Sequence, residues 1–138
     1  MTSRRLAIPT EGEGGLDGAR SGSFGRCACY TCVDIENGEV RAVSILANDP
    51  HHEDSEPRCQ AQVRLLTEAG VTDLVAAGIG VRPFRAFRRA GLRLYYEPFH
   101  RDARPVLEAF LAGRLPEMRE QQVCEGMGNC LSTRPALL

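Results

Sequence analysis

Apolar positions along the chain fall into short runs whose period changes from two to about three and a half after residue 58. Leu6-Ala7-Ile8 is a brief apolar run that predicts a strand ending at Pro9, since proline cannot donate to a sheet ladder. Residues 11–25 are rich in Gly, Ser and Glu and read as a long flexible loop. Cys29 to Ile35 and Val40 to Leu46 are strand-like, and Asn37-Gly38 between them is a hairpin signal because both residues accept positive φ. Residues 48–57 are polar and irregular. Ala61, Leu65, Leu66 and Ala69 then repeat at helical spacing within a helix from Cys59 to Ala69 that Gly70 stops.

The second half alternates strand and helix. Asp73 to Ala77 predicts a buried strand, followed by Gly78-Ile79-Gly80. Pro83 suits the first turn of a helix carrying Phe84, Phe87 and Ala90 and ending at Gly91. Leu92 to Tyr96 is a strand, and Arg104 to Leu115 is a helix with Val106, Leu107, Phe110 and Leu111 on its apolar face. The order is βββαβαβα, which predicts an α/β domain with a mixed sheet over residues 1–116. Periodicity fades from Pro116, so residues 117–138 are expected to form a loosely attached tail containing Cys124 and Cys130.

Composition narrows the function. At 138 residues the chain can bury about 68–70% of its unfolded surface and needs no disulfide to hold a core. A net charge of −1 offers no broad basic field for nucleic acid or an acidic membrane. All 17 basic residues are arginine, which removes Schiff-base and P-loop lysine chemistry. The apolar run near the N-terminus is too short for a signal peptide, and no stretch approaches the roughly 18 apolar residues of a membrane span. The expected compartment is the cytoplasm, where thiols stay reduced.

Against that background the six cysteines stand out, three of them within Cys27-Ala28-Cys29-Tyr30-Thr31-Cys32. Thiolates select zinc, copper(I) or iron–sulfur and related clusters. Cys27 and Cys29 are expected to share a face at the loop–strand junction and to be ligands. Cys32 falls on the other face among Val33 and Ile35, where a buried thiol also acts as a small hydrophobe. His51, His52 and Cys59 form a second candidate cluster on a loop. Cys124 and Cys130 bracket a five-residue Gly-containing spacer, longer than the spacing of compact zinc knuckles, and would complete a four-thiolate site if the tail folds back. Gly78, Gly80 and Arg82 mark a strand-to-helix turn where an anion can approach free backbone N–H groups.

Two enzyme classes fit poorly. A nuclease needs carboxylates on its first strand, and Leu6-Ala7-Ile8 has none. A dithiol oxidoreductase needs Cys-x-x-Cys opening a helix, whereas Cys29-Tyr30-Thr31-Cys32 lies in strand-type sequence.

Several segments together resemble one family. They are Arg5 to Pro9, Phe24-Gly25-Arg26, Val33 to Val40, Leu66 to Gly80, Arg82-Pro83-Phe84, Ala90 to Tyr95 and Ala109 to Leu115. The chain resembles the dinitrogenase iron–molybdenum cofactor biosynthesis family, which includes NifX, NafY, the C-terminal part of NifB and the orange protein of sulfate reducers. The resemblance covers about residues 4–115. It implies a ribonuclease H-like three-layer α/β/α fold with a mixed five-stranded sheet. It also implies noncatalytic binding, storage or delivery of a metal–sulfur cluster of Fe–S, Mo–Fe–S or Mo–Cu–S type, with a cluster donor or acceptor protein as partner. Ser23 stands where many members have His, and Ala77-Gly78-Ile79-Gly80 where Gly-Gly-Ile-Gly is commoner. The alternative is a protein-interaction or regulatory module with a structural zinc or iron–sulfur site.

Overall fold

The computed structural model describes residues 3–22, 26–48 and 58–119, without the side chains of 58–60. Its elements follow the expected order: β1 (Ser3–Thr10), β2 (Cys29–Glu36), β3 (Glu39–Ala47), α1 (Arg58–Glu68), β4 (Asp73–Ala76), α2 (Val81–Arg89), β5 (Arg93–Tyr96) and α3 (Ala103–Leu111). The five strands form one mixed sheet in the order β3-β2-β1-β4-β5. β1 runs antiparallel to β2 and parallel to β4, and β4 runs parallel to β5. Asn37 at φ 54° and Gly38 at φ 82° make the tight turn between β2 and β3.

Two apolar clusters occupy the two faces of the sheet. Leu66 of α1 and Phe84 and Phe87 of α2 pack with Tyr30, Cys32, Leu74 and Leu94. On the other face Val106, Leu107 and Phe110 of α3 pack with Leu6, Ile8 and Val33. Alternation along β2 produces this split, because successive side chains point to opposite faces. Among the described residues no helix is long and apolar enough to cross a membrane.

Three expectations change. β1 continues through Pro9 to Thr10. Parallel pairing with β4 involves only Leu6 and Ala7, so Pro9 lies past it and its missing N–H forfeits no bond on that side. The Pro9 carbonyl instead accepts the Ser21 N–H at 2.8 Å. The Gly-rich segment after β1 is not a free loop. Glu11 N–H donates to Ala19 O at 2.9 Å, Arg20 N–H to Arg101 O at 2.6 Å, and Ala103 N–H to Gly18 O at 3.1 Å, which ties residues 11–21 to the start of α3. Finally, α3 stops at Leu111 because Gly113 takes φ 73° and Arg114 N–H turns back to Ala109 O at 3.0 Å.

Packed chain extends beyond Pro116. Tyr96 N–H donates to Pro116 O at 3.0 Å, and Met118 N–H to Leu94 O at 2.7 Å. Met118 is fully buried in the α1–α2 cluster, so residues 116–118 lie along the outer edge of β5. Residues 120–138, with Cys124 and Cys130, lie outside the described residues.

Candidate functional site

Strand order distinguishes one end of the sheet by simple topology. From β1 the chain runs to β2 and β3 on one side, and the later strands β4 and β5 lie on the other. The parallel pair β1 and β4 is therefore the point where connections diverge, and ligands of open α/β sheets bind beyond the carboxyl ends of such a pair. The segment after β1 passes toward α3, while the turn after β4 passes toward α2.

The turn after β4 contains Gly78, Ile79 and Gly80. Ile79 is buried in the α1–α2 cluster. Gly80 is the N-cap of α2 at φ −74° and ψ 165°, an extended backbone open to any residue. A Cβ placed there would meet only Pro83, at 3.6 Å. Among the described residues neither strain nor packing requires glycine at position 80. The first turn of α2 holds no acidic residue, and Arg82 is exposed there. A helix N-terminus of this kind attracts anions.

The three cysteines divide between the faces. β2 begins only at Cys29, so the shared face expected for Cys27 and Cys29 does not form. Cys27 joins the α1–α2 cluster with Tyr30 and Cys32. Its carbonyl accepts Asn48 Nδ2 at 2.9 Å, and Asn48 in turn accepts from Gln62 Nε2 at 2.8 Å. Cys29 lies on the opposite face under the loop, with its Sγ 3.2 Å from Thr10 Oγ1. Gly14 crosses above it at φ 75°, and a Cβ there would stand 2.8 Å from Cys29 Sγ, so this glycine is needed for both conformation and space. All three cysteines are buried. Burial pushes Cys27 up to about 11, partly offset by a hydrogen bond with Tyr30. Burial likewise pushes Cys32 up to about 11, partly offset by the Arg5 charge. Both are protonated in the free protein at neutral pH.

Among the described residues no three His, Cys, Asp or Glu side chains converge as a metal site. His51 and His52 lie outside the described residues, and Cys59 falls in the first turn of α1 with its side chain outside them.

Sequence reasoning missed a buried charge cluster at the same end of the sheet. Arg20 and Glu97 form an ion pair at 3.1 Å with side chains only 4% and 3% exposed. Arg20 follows β1 and forms a bridge with Thr10. Glu97 follows β5, and its N–H donates to Ala76 O at the end of β4. Their contact therefore spans the carboxyl end of β4. Burial pulls the Arg20 guanidinium down while the Glu97 charge pulls it back. Arg20 Nη1 is buried and has no hydrogen-bond partner among the described residues. Glu97 Oε1 also accepts the N–H groups of Phe99 at 3.0 Å and His100 at 3.1 Å, and Oε2 lies 2.7 Å from His100 Nδ1. The sequence signal was faint: an arginine inside a Gly-rich loop, and a Glu and His three apart in a loop of no periodicity.

A cavity of about 540 Å³ opens at the opposite end, lined by Arg4, Arg5, Asp34 and Arg41. Its arginines are matched by acids: Arg4 with Asp73 at 2.8 Å, Arg5 with Asp34 at 2.5 Å and Arg41 with Glu36 at 3.2 Å. That pairing leaves it no net demand for an anion, so we assign it to joining β1, β2 and β4.

A family model described as dinitrogenase iron–molybdenum cofactor matches residues 4–113. The apo orange protein of Desulfovibrio gigas superposes with a TM-score of 0.73 at 26% identity, covering 83% of this chain and 92% of that one. The solution structure of a Thermotoga protein named for NifB superposes with a TM-score of 0.66 at 28% identity, covering 83% of this chain and 92% of that one. An uncharacterised protein of Methanocaldococcus jannaschii is 28% identical over 92 residues, or 66% of this chain and 72% of its own length.

Proposed function

The chain belongs to the dinitrogenase iron–molybdenum cofactor family, and on that premise we propose that it binds an anionic metal–sulfur cluster as cargo, without turnover. In this reading the fold is a ribonuclease H-like α/β/α sandwich and the cluster lies beyond the carboxyl ends of β1 and β4. The observation that carries it is Arg20 Nη1. Among the described residues this buried N–H donor has no partner, and it lies at the end of the sheet where such folds take a ligand. A sulfide or oxo group of a thiometallate anion satisfies that donor.

The bare Gly78–Gly80 turn lets the anion reach the α2 N-terminus, and Arg82 adds a second cation. Cys27 is the thiol on the α2 side of the sheet, packed in one cluster with Ile79, and is the proposed protein thiolate ligand. A soft metal displaces its proton on binding. Cys29 is assigned to loop packing. Cys32, His51, His52, Cys59, Cys124 and Cys130 stand as further candidate donors. Thiolate ligands and an exchangeable cargo suit a reducing cytoplasm and a cluster donor or acceptor protein as partner.

The test is anaerobic purification of the full chain, elemental analysis and a visible spectrum, followed by reconstitution with copper(I) and tetrathiomolybdate. Uptake of a coloured cluster supports the proposal. A colourless protein holding only zinc favours the structural-metal alternative, and a protein that takes up neither overturns cluster binding.

A further inference from the structure

The Glu97–His100 pair has a geometry that the fold does not need. Glu97 already holds its loop through the Phe99 and His100 N–H groups and its buried bond to Arg20. The imidazole adds a further contact, Nδ1 to Oε2 at 2.7 Å, while its side chain stays 45% exposed. Where the Nδ1–H donates to the carboxylate, the neutral ring keeps its Nε2 lone pair free. Metal-binding histidines are held in this way by an outer carboxylate, which sets the ring orientation and raises its basicity.

Its location adds to the argument. Glu97 Oε1 is bonded to Arg20, so the ring and the guanidinium with the unpartnered Nη1 sit on opposite oxygens of one carboxylate. That carboxylate lies at the end of β4, where the Glu97 N–H meets Ala76 O. A donor nitrogen and a buried N–H donor thus share one carboxylate at the carboxyl end of β4.

We infer that His100 is a nitrogen ligand, through Nε2, for a copper or iron centre of the cargo cluster, with Glu97 as its positioning residue. Imidazole suits both metals, whereas a bare thiomolybdate sulfur has nothing to accept the Nε2 lone pair. This rests on the cluster-binding reading above and adds a residue and a metal preference to it. The metal end of the cargo would face His100 and the anionic end would face Arg20 and the helix N-terminus.

The experiment uses the full chain loaded with copper(I) tetrathiomolybdate. His100→Ala removes a half-exposed side chain and spares the buried ion pair, so the fold is retained. We expect binding weaker by roughly tenfold or more, loss of the nitrogen scatterer at the copper edge in X-ray absorption, and recovery of both on adding free imidazole. Tetrathiomolybdate without copper should bind His100→Ala and wild type alike. Equal copper-cluster affinity with an unchanged copper-edge spectrum overturns the role of His100 alone. No uptake by the wild-type chain overturns the cluster reading beneath it. Weakened binding that imidazole does not rescue overturns direct ligation.

Discussion

Cys27 and Cys29, two positions apart, belong to different layers of the molecule: Cys27 packs with Tyr30 on the α1–α2 side, and Cys29 lies under the Gly14 loop within 3.2 Å of Thr10 Oγ1. The sheet begins between them, so the alternation that would have put them on one face never applies. Single substitutions should therefore separate them. Cys27→Ser should cost most of the bound cluster. Cys29→Ser should keep it and change stability by about 1 kcal/mol or less, since a hydroxyl finds the Thr10 and Gly12 acceptors nearby. Metal per chain and urea unfolding read the two effects. Equal metal loss in both variants would sink the assignment.

Arg82 tests the anion cradle through two effects of opposite sign. Arg82→Glu places a carboxylate in the first turn of α2, which favours the empty helix by roughly 0.3–1 kcal/mol. The same change puts like charge beside an anionic cargo. Apo stability should hold or rise slightly while cluster affinity falls. A drop in apo stability with unchanged affinity would make Arg82 structural and move the cradle elsewhere.

Met118 carries the packing past Pro116. A chain ending at residue 119 should unfold like the full chain. A chain ending at residue 116 loses a fully buried methionine and the Met118 N–H bond to Leu94 O. The cost expected is about 2–5 kcal/mol, the range for truncating a buried Met. Equal melting temperatures for the two truncations would contradict it. Loss of metal from the 119 chain without loss of stability would assign a ligand role to Cys124 and Cys130.

Alkaline pH should expose the buried thiols. Cys27 and Cys32 are raised to about 11 in the fold, above the roughly 8.5 of a free thiol. The folded state thus binds protons more tightly than the unfolded chain, and its stability is intact below the unfolded value. Above that value stability falls, by up to roughly 1.4 kcal/mol per pH unit per thiol, until pH passes the folded value. Urea unfolding of the apo protein between pH 8 and 11 checks this. Cys32→Ala should flatten the slope, and a slope unchanged by that variant would show that other groups produce it.

The sequence by itself determined the order of elements, because hydrophobic period and glycine stops are local. Asn37-Gly38 made the hairpin, and Gly70 and Gly91 ended α1 and α2 at positive φ, whereas the apolar pattern of α3 ran on past Gly113 to Leu115. It also determined the family, through segments spread from Arg5 to Leu115. What it could not determine was which distant side chains meet. Arg20 and Glu97 are 77 positions apart, and no local pattern links a Gly-rich loop to the end of β5. Their pairing exists because β1, β4 and β5 align in parallel and bring the segments after them to one end of the sheet. Burial then did the rest: removed from water, a guanidinium and a carboxylate must find each other, and the N–H left over is the feature on which the proposed site rests. The cysteine cluster, conspicuous in sequence, was divided by the start of a single strand, a boundary set by pairing with β1 and β3 rather than by the residues themselves.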